Sequence, residues 1–145
     1  MSNATALKFG YPHTLVAESA HWWVLARPRQ VTLGSLVLVC KQPVTAFGEV
    51  SAAGFSDLHA VIALAESMLK GFTAYERINY LMLMMVDPDV HFHVIPRYGV
   101  TRDYEGISLP DASWPNPSNL AAAIELPAPV LATLTADLKA RWDVT

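Results

Sequence analysis

The feature that most constrains the fold of this chain is a stretch near its middle that begins by alternating polar with apolar side chains. It runs from Asp89 to Arg97 with the sequence Asp-Val-His-Phe-His-Val-Ile-Pro-Arg. Successive side chains of a β-strand point to opposite faces of the sheet. The alternation therefore predicts a strand that carries His91 and His93 on one face and anchors Phe92 and its valine neighbours in the core on the other.

Earlier apolar runs predict more strands of an antiparallel sheet. Residues 14–19 and 21–27 are rich in Val, Leu and Trp and lie close together, which indicates a hairpin. The continuous apolar run at 35–40 is typical of a strand that is covered on both faces. We therefore expect that run to form the central strand.

The histidine strand is predicted to be the second of a closely spaced pair. Residues 78–86 form a run of Met, Leu and Tyr, and the turn Asp87-Pro88-Asp89 separates it from the strand predicted at 90–98. A connection this short requires neighbouring strands to be antiparallel. Because alternate side chains share a face, Asp87 and Asp89 should lie on the same side as the two histidines.

Two helices complete a predicted α+β fold. Apolar residues recur at three- and four-residue steps through residues 57–76, which predicts one long helix with Ser56 or Asp57 as its N-cap. Pro129 is well placed as the first residue of a C-terminal helix. The apolar side of that helix would carry Leu131, Leu134, Leu138 and Trp142. Residues 102–125 receive no assignment.

Length and composition indicate one densely packed domain. The chain has 145 residues, of which 52% are hydrophobic, and this is enough to bury a core without metal or disulfide staples. We therefore expect a single domain over residues 1–145. Its motif-bearing core would span about 14–98, followed by a C-terminal extension at 99–145.

Charge and cysteine content limit the partners and the compartment. A net charge of -3 argues against binding nucleic acid through counterion release. Cys40 is the only cysteine, which rules out an intramolecular disulfide and fits a reducing compartment. Residues 1–8 lack the apolar core of a secretory signal, and no stretch reaches the roughly 18 apolar residues of a membrane span. We expect a cytoplasmic protein with a small ligand and with no nucleic-acid or membrane partner.

A pair of histidines two residues apart has several interpretations. Histidines in a buried strand can be structural, with their polar atoms satisfied by neighbours. Imidazole and carboxylate groups can also bind zinc or iron. Such a site would use Asp87, Asp89, His91 and His93. Nothing else in the chain supplies the surrounding hydrogen-bond pattern of a metal site, so we expect no bound metal.

The string from Asp89 to Arg97 resembles the signature strand of the histidine-triad (HIT) superfamily, in particular its branch of dinucleoside polyphosphate hydrolases, in which a Pro-Arg pair often closes the run. The order of the preceding elements is similar too: a hairpin, a strand that starts at Gly34, a helix that starts near Phe55 and a strand leading into the motif. The resemblance covers about residues 14–98. It implies the HIT fold, an antiparallel sheet of about five strands with one long helix and a C-terminal helix.

The resemblance also implies roles for individual residues. Aligned on Pro96-Arg97, His91 takes the place of the central histidine, the nucleophile that attacks the α-phosphorus of a nucleotide. His93 takes the place of the last histidine, which hydrogen-bonds the phosphate oxygens. A neutral imidazole suits this chemistry because it is both a nucleophile and a competent leaving group near neutral pH. Arg27 lies near the usual position of a ribose-contacting residue and Arg97 closes the motif, so both are expected to bind the substrate.

The activity that the resemblance implies is that of a nucleotide phosphohydrolase or nucleotidyl transferase acting on dinucleoside polyphosphates or related adenylated substrates. Such an enzyme would be a homodimer without a tightly bound cofactor, although Mg²⁺ could accompany the nucleotide. Two positions depart from the family pattern. Asp89 replaces the first histidine of the triad, and Ser35 or Leu36 stands where many members have a further histidine. The alternative is therefore a nucleotide-binding HIT protein with little or no catalytic activity.

Asp89 is the most particular of these departures. Two positions before His91 and on the same predicted face, its carboxylate would orient the imidazole or stabilise the imidazolium. We therefore expect Asp89 to belong to the catalytic residues, together with His91 and His93.

Other aromatic and ionisable residues are predicted to be structural or exposed. Trp22 and Trp23 lie in the predicted hairpin, where aromatic side chains usually pack in the core. We expect His13 and His59 on the surface, and Cys40 buried within its apolar strand.

Overall fold

The computed structural model describes residues 3–145; Met1 and Ser2, which belong to the segment used for the signal prediction, lie outside the described residues. The strands are β1 (Leu15–Glu18), β2 (Trp22–Ala26), β3 (Arg29–Gln30), β4 (Leu36–Cys40), β5 (Arg77–Leu81), β6 (His91–Arg97), β7 (Arg102–Tyr104), β8 (Ile107–Leu109) and β9 (Ile124–Glu125). The helices are α1 (Ala4–Lys8), α2 (Ala52–Thr73) and α3 (Ala128–Asp143). Five strands form one antiparallel sheet in the order β1-β2-β4-β6-β5. With the long helix and the C-terminal helix, this sheet confirms the predicted α+β fold.

Strand β4 is the centre of the sheet, as its continuous apolar sequence predicts. Each of its five side chains is buried. Leu36 and Leu38 belong to the larger core, which α2 and α3 cover. Val37 and Val39 belong to a smaller cluster on the opposite face, completed by α1 and the residues that follow it. The histidines of β6 lie on this second face.

Helix α2 begins and ends earlier than the sequence predicts. Its N-cap is Ser51, whose hydroxyl accepts a hydrogen bond from the amide of Gly54 at 3.0 Å. The predicted cap at Ser56 or Asp57 is therefore wrong, because the small residues after Ser51 already continue the helix. At the other end, Ala74 adopts a left-handed conformation with φ of 50° and stops the helix at Thr73.

The apolar face of α2 is confirmed by its packing. The residues that recur at helical spacing are buried in, or packed against, the core that lies on the sheet; they are Leu58, Val61, Ile62, Ala65, Met68, Leu69 and Phe72. Within residues 3–145, α2 is also the one helix long and apolar enough, by composition, to cross a membrane. A helix that covers the core of a folded domain meets the same criteria.

Residues 82–90 form a loop instead of continuing β5 into a tight turn. The antiparallel pairing is as predicted, with Leu81 opposite His93, but β5 ends at Leu81 and β6 begins only at His91. Met84 adopts a left-handed conformation with φ of 43°, which a strand does not accommodate. Met85 and Val86 are more than four-fifths exposed. Apolar composition alone therefore gave the wrong extent for this strand.

The C-terminal part of the chain belongs to the same core as the sheet. Leu109 and Leu126 are buried in it, and α3 packs against β1, β2 and α2. The predicted face of α3 is confirmed: Leu134 and Leu138 are fully buried, and Leu131 and Trp142 pack beside them. The region without a predicted assignment contains the β7–β8 hairpin and β9, which pairs with β3.

Candidate active site

Strand β6 places His91 and His93 side by side on the face of the sheet that α1 covers. They lie opposite Val39 and Val37 of β4, while Phe92 is part of the core on the other face. The two imidazole ring centres are 5.2 Å apart and the rings are nearly perpendicular. Only 2% of His91 and 5% of His93 is exposed. The predicted division of this strand into a histidine face and a core face is confirmed.

The ring of Phe9 covers the histidine pair. Its centre lies 6.0 Å from that of the His91 ring and 5.6 Å from that of the His93 ring. Phe9 directly follows α1 and packs against the smaller apolar cluster of the sheet. A phenyl ring in this place keeps water from both imidazoles, so the N-terminal segment forms one wall of the site.

A main-chain carbonyl fixes which nitrogen of His91 carries the proton. Nδ1 of His91 lies 2.6 Å from the carbonyl oxygen of Asp89. Because a carbonyl can only accept, the neutral ring must carry its hydrogen on Nδ1. The lone pair is then on Nε2. Neutral His91 thus has the form that nucleophilic attack through Nε2 requires.

Arg27 fixes the opposite arrangement in His93. Its Nε donates to Nδ1 of His93 over 3.3 Å. Because a guanidinium can only donate, Nδ1 accepts and the neutral ring carries its hydrogen on Nε2. Burial, followed by the positive charge of Arg27, lowers the pKa of His93 to about 4. His93 is therefore neutral at pH 7, and Nε2 is a hydrogen-bond donor.

Both imidazoles line a cavity of about 400 Å³, a size typical of small-molecule sites. Three cationic side chains, Lys8, Arg27 and Arg29, also line it. The rest of the wall is Phe9, Pro28, Leu83, Met84, Met85, Val86, Asp87 and Leu120. Positive charge beside apolar surface suits a ligand that joins a phosphate to a flat or apolar group.

The carboxylates of Asp87 and Asp89 bind the N-terminal helix instead of the histidines. Lys8 Nζ lies 2.8 Å from Oδ2 of Asp87, and the hydroxyl of Thr5 donates to Oδ2 of Asp89 over 2.9 Å. Because residues 82–90 form a loop, the two-residue alternation expected of a strand does not extend to these positions. The expected contact between the Asp89 carboxylate and His91 is replaced by the contact from the Asp89 carbonyl.

Arg97 lies outside the cavity, at the opposite end of β6. Its Nε donates to Oδ2 of Asp111 over 2.7 Å, and its other nitrogens donate to the Asn79 side chain and the Asn116 carbonyl, each at 2.6 Å. Both members of the Arg97–Asp111 ion pair are almost fully buried. The position of Arg97 does not support the predicted substrate contact, because these bonds tie it to β5 and to the segment that follows β8.

The remaining sequence predictions concern structural residues. Trp22 is fully buried and donates from its indole nitrogen to the carbonyl of Gly54, and Trp23 packs on the other face, so both are packing residues as predicted. His13 and His59 are exposed and Cys40 is buried, also as predicted. Within residues 3–145, no group of three or more His, Cys, Asp or Glu side chains is arranged to hold a metal ion.

Several residues that line or support the site could not be predicted from the sequence. Thr5, Lys8 and Phe9 precede the first strand, and nothing in their spacing indicates that they fold back onto the middle of the chain. The apolar run at residues 83–86 also lines the site, but its composition predicted a strand where the structure has a loop. A run of large apolar side chains that ends in a Pro-containing turn fits a strand and an exposed loop beside a cavity equally well.

Comparisons with solved structures identify the fold. No family model and no curated protein matches the sequence. A histidine triad protein from Sinorhizobium meliloti 1021 is 20% identical with a TM-score of 0.74, and the match covers 97% of this chain and 96% of that one. The diadenosine triphosphate hydrolase of Plasmodium falciparum is 7% identical with a TM-score of 0.67, over 92% of this chain and 79% of the other.

A third structure is a much longer protein. The C. elegans NitFhit protein is 16% identical with a TM-score of 0.66, and the match covers 89% of this chain but only 27% of that one. At these identities the similarities establish the fold. The chain has the histidine-triad fold, as the strand of alternating histidines implied.

Proposed function

We propose that this protein is a HIT-type nucleotide phosphohydrolase or nucleotidyl transferase that acts on dinucleoside polyphosphates or related adenylated substrates, with His91 as the nucleophile. The observation that carries the proposal is the complementary protonation of the two neighbouring imidazoles. Asp89 leaves His91 with a lone pair on Nε2, while Arg27 leaves His93 with a hydrogen on Nε2. One ring is thus prepared to attack phosphorus and the other to donate to a phosphate oxygen.

The proposed reaction has two steps. In the first, Nε2 of His91 forms a bond to the α-phosphorus and the bond from phosphorus to the leaving-group oxygen or nitrogen breaks, with the electron pair going to the leaving group. The Asp89 carbonyl stabilises the positive charge of the nucleotidylated imidazole through Nδ1–H. In the second, water attacks phosphorus, the P–N bond breaks, its electron pair returns to His91, and the proton of the water passes to solvent. Donors on His93 and Arg27 stabilise the charge on the phosphate oxygens in both steps.

The second candidate is a nucleotide-binding HIT protein with little or no catalytic activity. One observation favours it: position 89 carries no imidazole, and the Asp89 carboxylate is bound to Thr5. In this alternative the cavity and its cations would hold a nucleotide without breaking a phosphorus bond. Binding with no turnover across a broad substrate range would distinguish it.

The proposal also covers the oligomeric state of the protein, its compartment and its cofactors. We propose a cytoplasmic homodimer with a nucleotide ligand, without a tightly bound cofactor and with Mg²⁺ only as a companion of the substrate. The edge position of β5 supports self-association, because an edge strand carries unpaired main-chain groups. Sedimentation at micromolar concentration tests the assembly: a single species at the 15.9 kDa monomer mass would contradict it.

The decisive experiment is an activity panel of adenylated and guanylated substrates, each assayed with and without chelator. We expect release of AMP from at least one adenylated substrate, and transient labelling of the protein by a substrate labelled in its α-phosphate. Chelator should slow turnover only through the metal bound to the substrate. Binding of AMP without any turnover would favour the second candidate, and absence of both would contradict the two proposals.

A further inference from the structure

Helix α1 is attached to the loop before β6 by two side-chain contacts of different character. Lys8 and Asp87 form an ion pair in which half of the lysine side chain is exposed. Thr5 and Asp89 form a hydrogen bond in which the threonine is 1% exposed. Exposed ion pairs contribute little, whereas a hydrogen bond from a buried donor to a carboxylate is among the stronger ones. The Thr5–Asp89 bond is thus the firmer of the two.

Asp89 connects this bond to the nucleophile. The carboxylate of Asp89 accepts from Thr5 at 2.9 Å, and the carbonyl of the same residue accepts from Nδ1 of His91 at 2.6 Å. Asp89 precedes β6 and lies outside the residues that pair with β4. Its carbonyl belongs to the peptide group whose amide, that of Val90, donates to the carbonyl of Val44 over 3.1 Å. The direction of the carbonyl is therefore set by that bond together with the contact that holds the Asp89 side chain.

We propose that Thr5 is a positioning residue for His91. The Thr5 hydroxyl holds the Asp89 carboxylate and thereby aligns the Asp89 carbonyl, which keeps the proton of His91 on Nδ1. Its effect on turnover rests on the proposed function, since it requires His91 to be the nucleophile. The effect of Thr5 on the tautomer of His91 does not depend on the proposed function. Without the threonine hydroxyl, Asp89 loses its partner in the N-terminal helix, and His91 can adopt the tautomer whose Nε2 has no lone pair for attack.

The test compares two substitutions of Thr5. Thr5→Val preserves the shape but removes the hydroxyl, and Thr5→Ser preserves the hydroxyl. The tautomer of His91 is measured in the free protein by ¹⁵N NMR of the imidazole nitrogens. Turnover is measured with an adenylated substrate. We expect Thr5→Val to give a mixture of tautomers and to lower kcat about tenfold, with KM little changed. We expect Thr5→Ser to retain both properties.

Two further variants separate positioning from stability. Asp89→Ala removes the carboxylate but keeps the carbonyl, so adding Thr5→Val to it should cause no further loss if Thr5 acts through Asp89. Thr135→Val is the matched control, because Thr135 is also buried and its hydroxyl bonds a main-chain carbonyl, that of Leu131 in α3. It should leave the His91 tautomer and kcat unchanged.

The outcomes distinguish the inference from the proposed function. A wild-type tautomer of His91 in Thr5→Val, or an equal change in Thr135→Val, would overturn the role of Thr5. So would additive losses in the double variant. If the wild-type protein turned over no adenylated substrate, the proposed function would fail, while the NMR comparison would still decide whether Thr5 positions His91.

Discussion

Arg27 and His93 are joined by their side chains, with Nε of the guanidinium donating to Nδ1 of the imidazole over 3.3 Å. The imidazole resists protonation because burial penalises its cation and because a second positive charge would face the first. The pair therefore persists as a cationic donor and a neutral acceptor. This arrangement makes the stability of the protein sensitive to acid in a defined range.

We expect the free energy of unfolding to fall between about pH 6.5 and pH 4 because of His93. In the folded protein the pKa of His93 is about 4, below the ordinary value of 6.5. Above pH 6.5 the ring is neutral in both the folded and the unfolded protein, so His93 does not reduce the free energy of unfolding there. As the pH decreases, the unfolded chain takes up a proton that the folded protein excludes, at a cost on the order of 2 kcal/mol after allowance for solvent screening. Denaturation at pH 7 and pH 4.5 measures it. The comparison is with His93→Gln, and an equally large pH dependence in that variant would contradict the assignment.

His91→Ala should abolish turnover of any adenylated substrate that the wild-type protein accepts. A covalent catalyst leaves no equivalent group behind, so we expect a decrease of several orders of magnitude in kcat. His59→Ala is the control, because His59 is exposed on α2. Stopped assays of AMP release, with folding checked by circular dichroism, would show the difference. Near-wild-type turnover in His91→Ala would disprove the mechanism.

Phe9→Ala should raise the pKa of His93 towards its ordinary value. The ring lies over both imidazoles, and its removal admits water that solvates the cation. Titration of the His93 ring by NMR would measure the shift, with Phe9→Leu expected to lie between the wild type and Phe9→Ala. Leu7→Ala, in the same segment but more than half exposed, should have no effect. An unchanged titration in Phe9→Ala would show that Phe9 does not shield the pair.

Arg97→Met should destabilise the protein without changing its affinity for a nucleotide. The substitution leaves the carboxylate of Asp111 buried without its cation, and breaking such a pair costs about 3–5 kcal/mol. Adding Asp111→Leu should recover part of the loss. Arg27→Met should behave in the opposite way, with weaker AMP binding and a smaller loss of stability. Denaturant unfolding and calorimetric AMP titration of the three variants test this, and weaker AMP binding in folded Arg97→Met would restore a ligand role to Arg97.

The predictable part of the fold was the part in which a single pattern sufficed. The run at 36–40 is apolar at every position, and helical spacing marks one face of α2 and one face of α3, so burial could be inferred directly. At residues 82–86 the pattern was ambiguous, because the same apolar side chains suit a covered strand and the rim of a cavity. Backbone conformation at Met84 decided between them, and composition does not encode it.

The candidate site was predictable to the extent that it lies on one strand. The shared face of His91 and His93 follows from the geometry of a strand, and Arg27 was found through family resemblance. Contacts between distant segments could not be found in this way. Thr5 reaches Asp89 and Arg97 reaches Asp111 only because the tertiary fold brings the segments together. Arg97 was predicted to bind the substrate from its place in the motif. That place did not reveal that its hydrogen-bond donors are satisfied by other residues of the protein.

The packing of α3 on β1 has a consequence for how the chain folds during synthesis. The two elements touch although most of the chain lies between them, so β1 and β2 leave the ribosome long before the helix that covers them exists. Until then the core into which β1 packs, with Val16 among its buried side chains, is incomplete. Because Phe92 of the histidine strand belongs to the same core, that strand too gains its full packing only once α3 has formed.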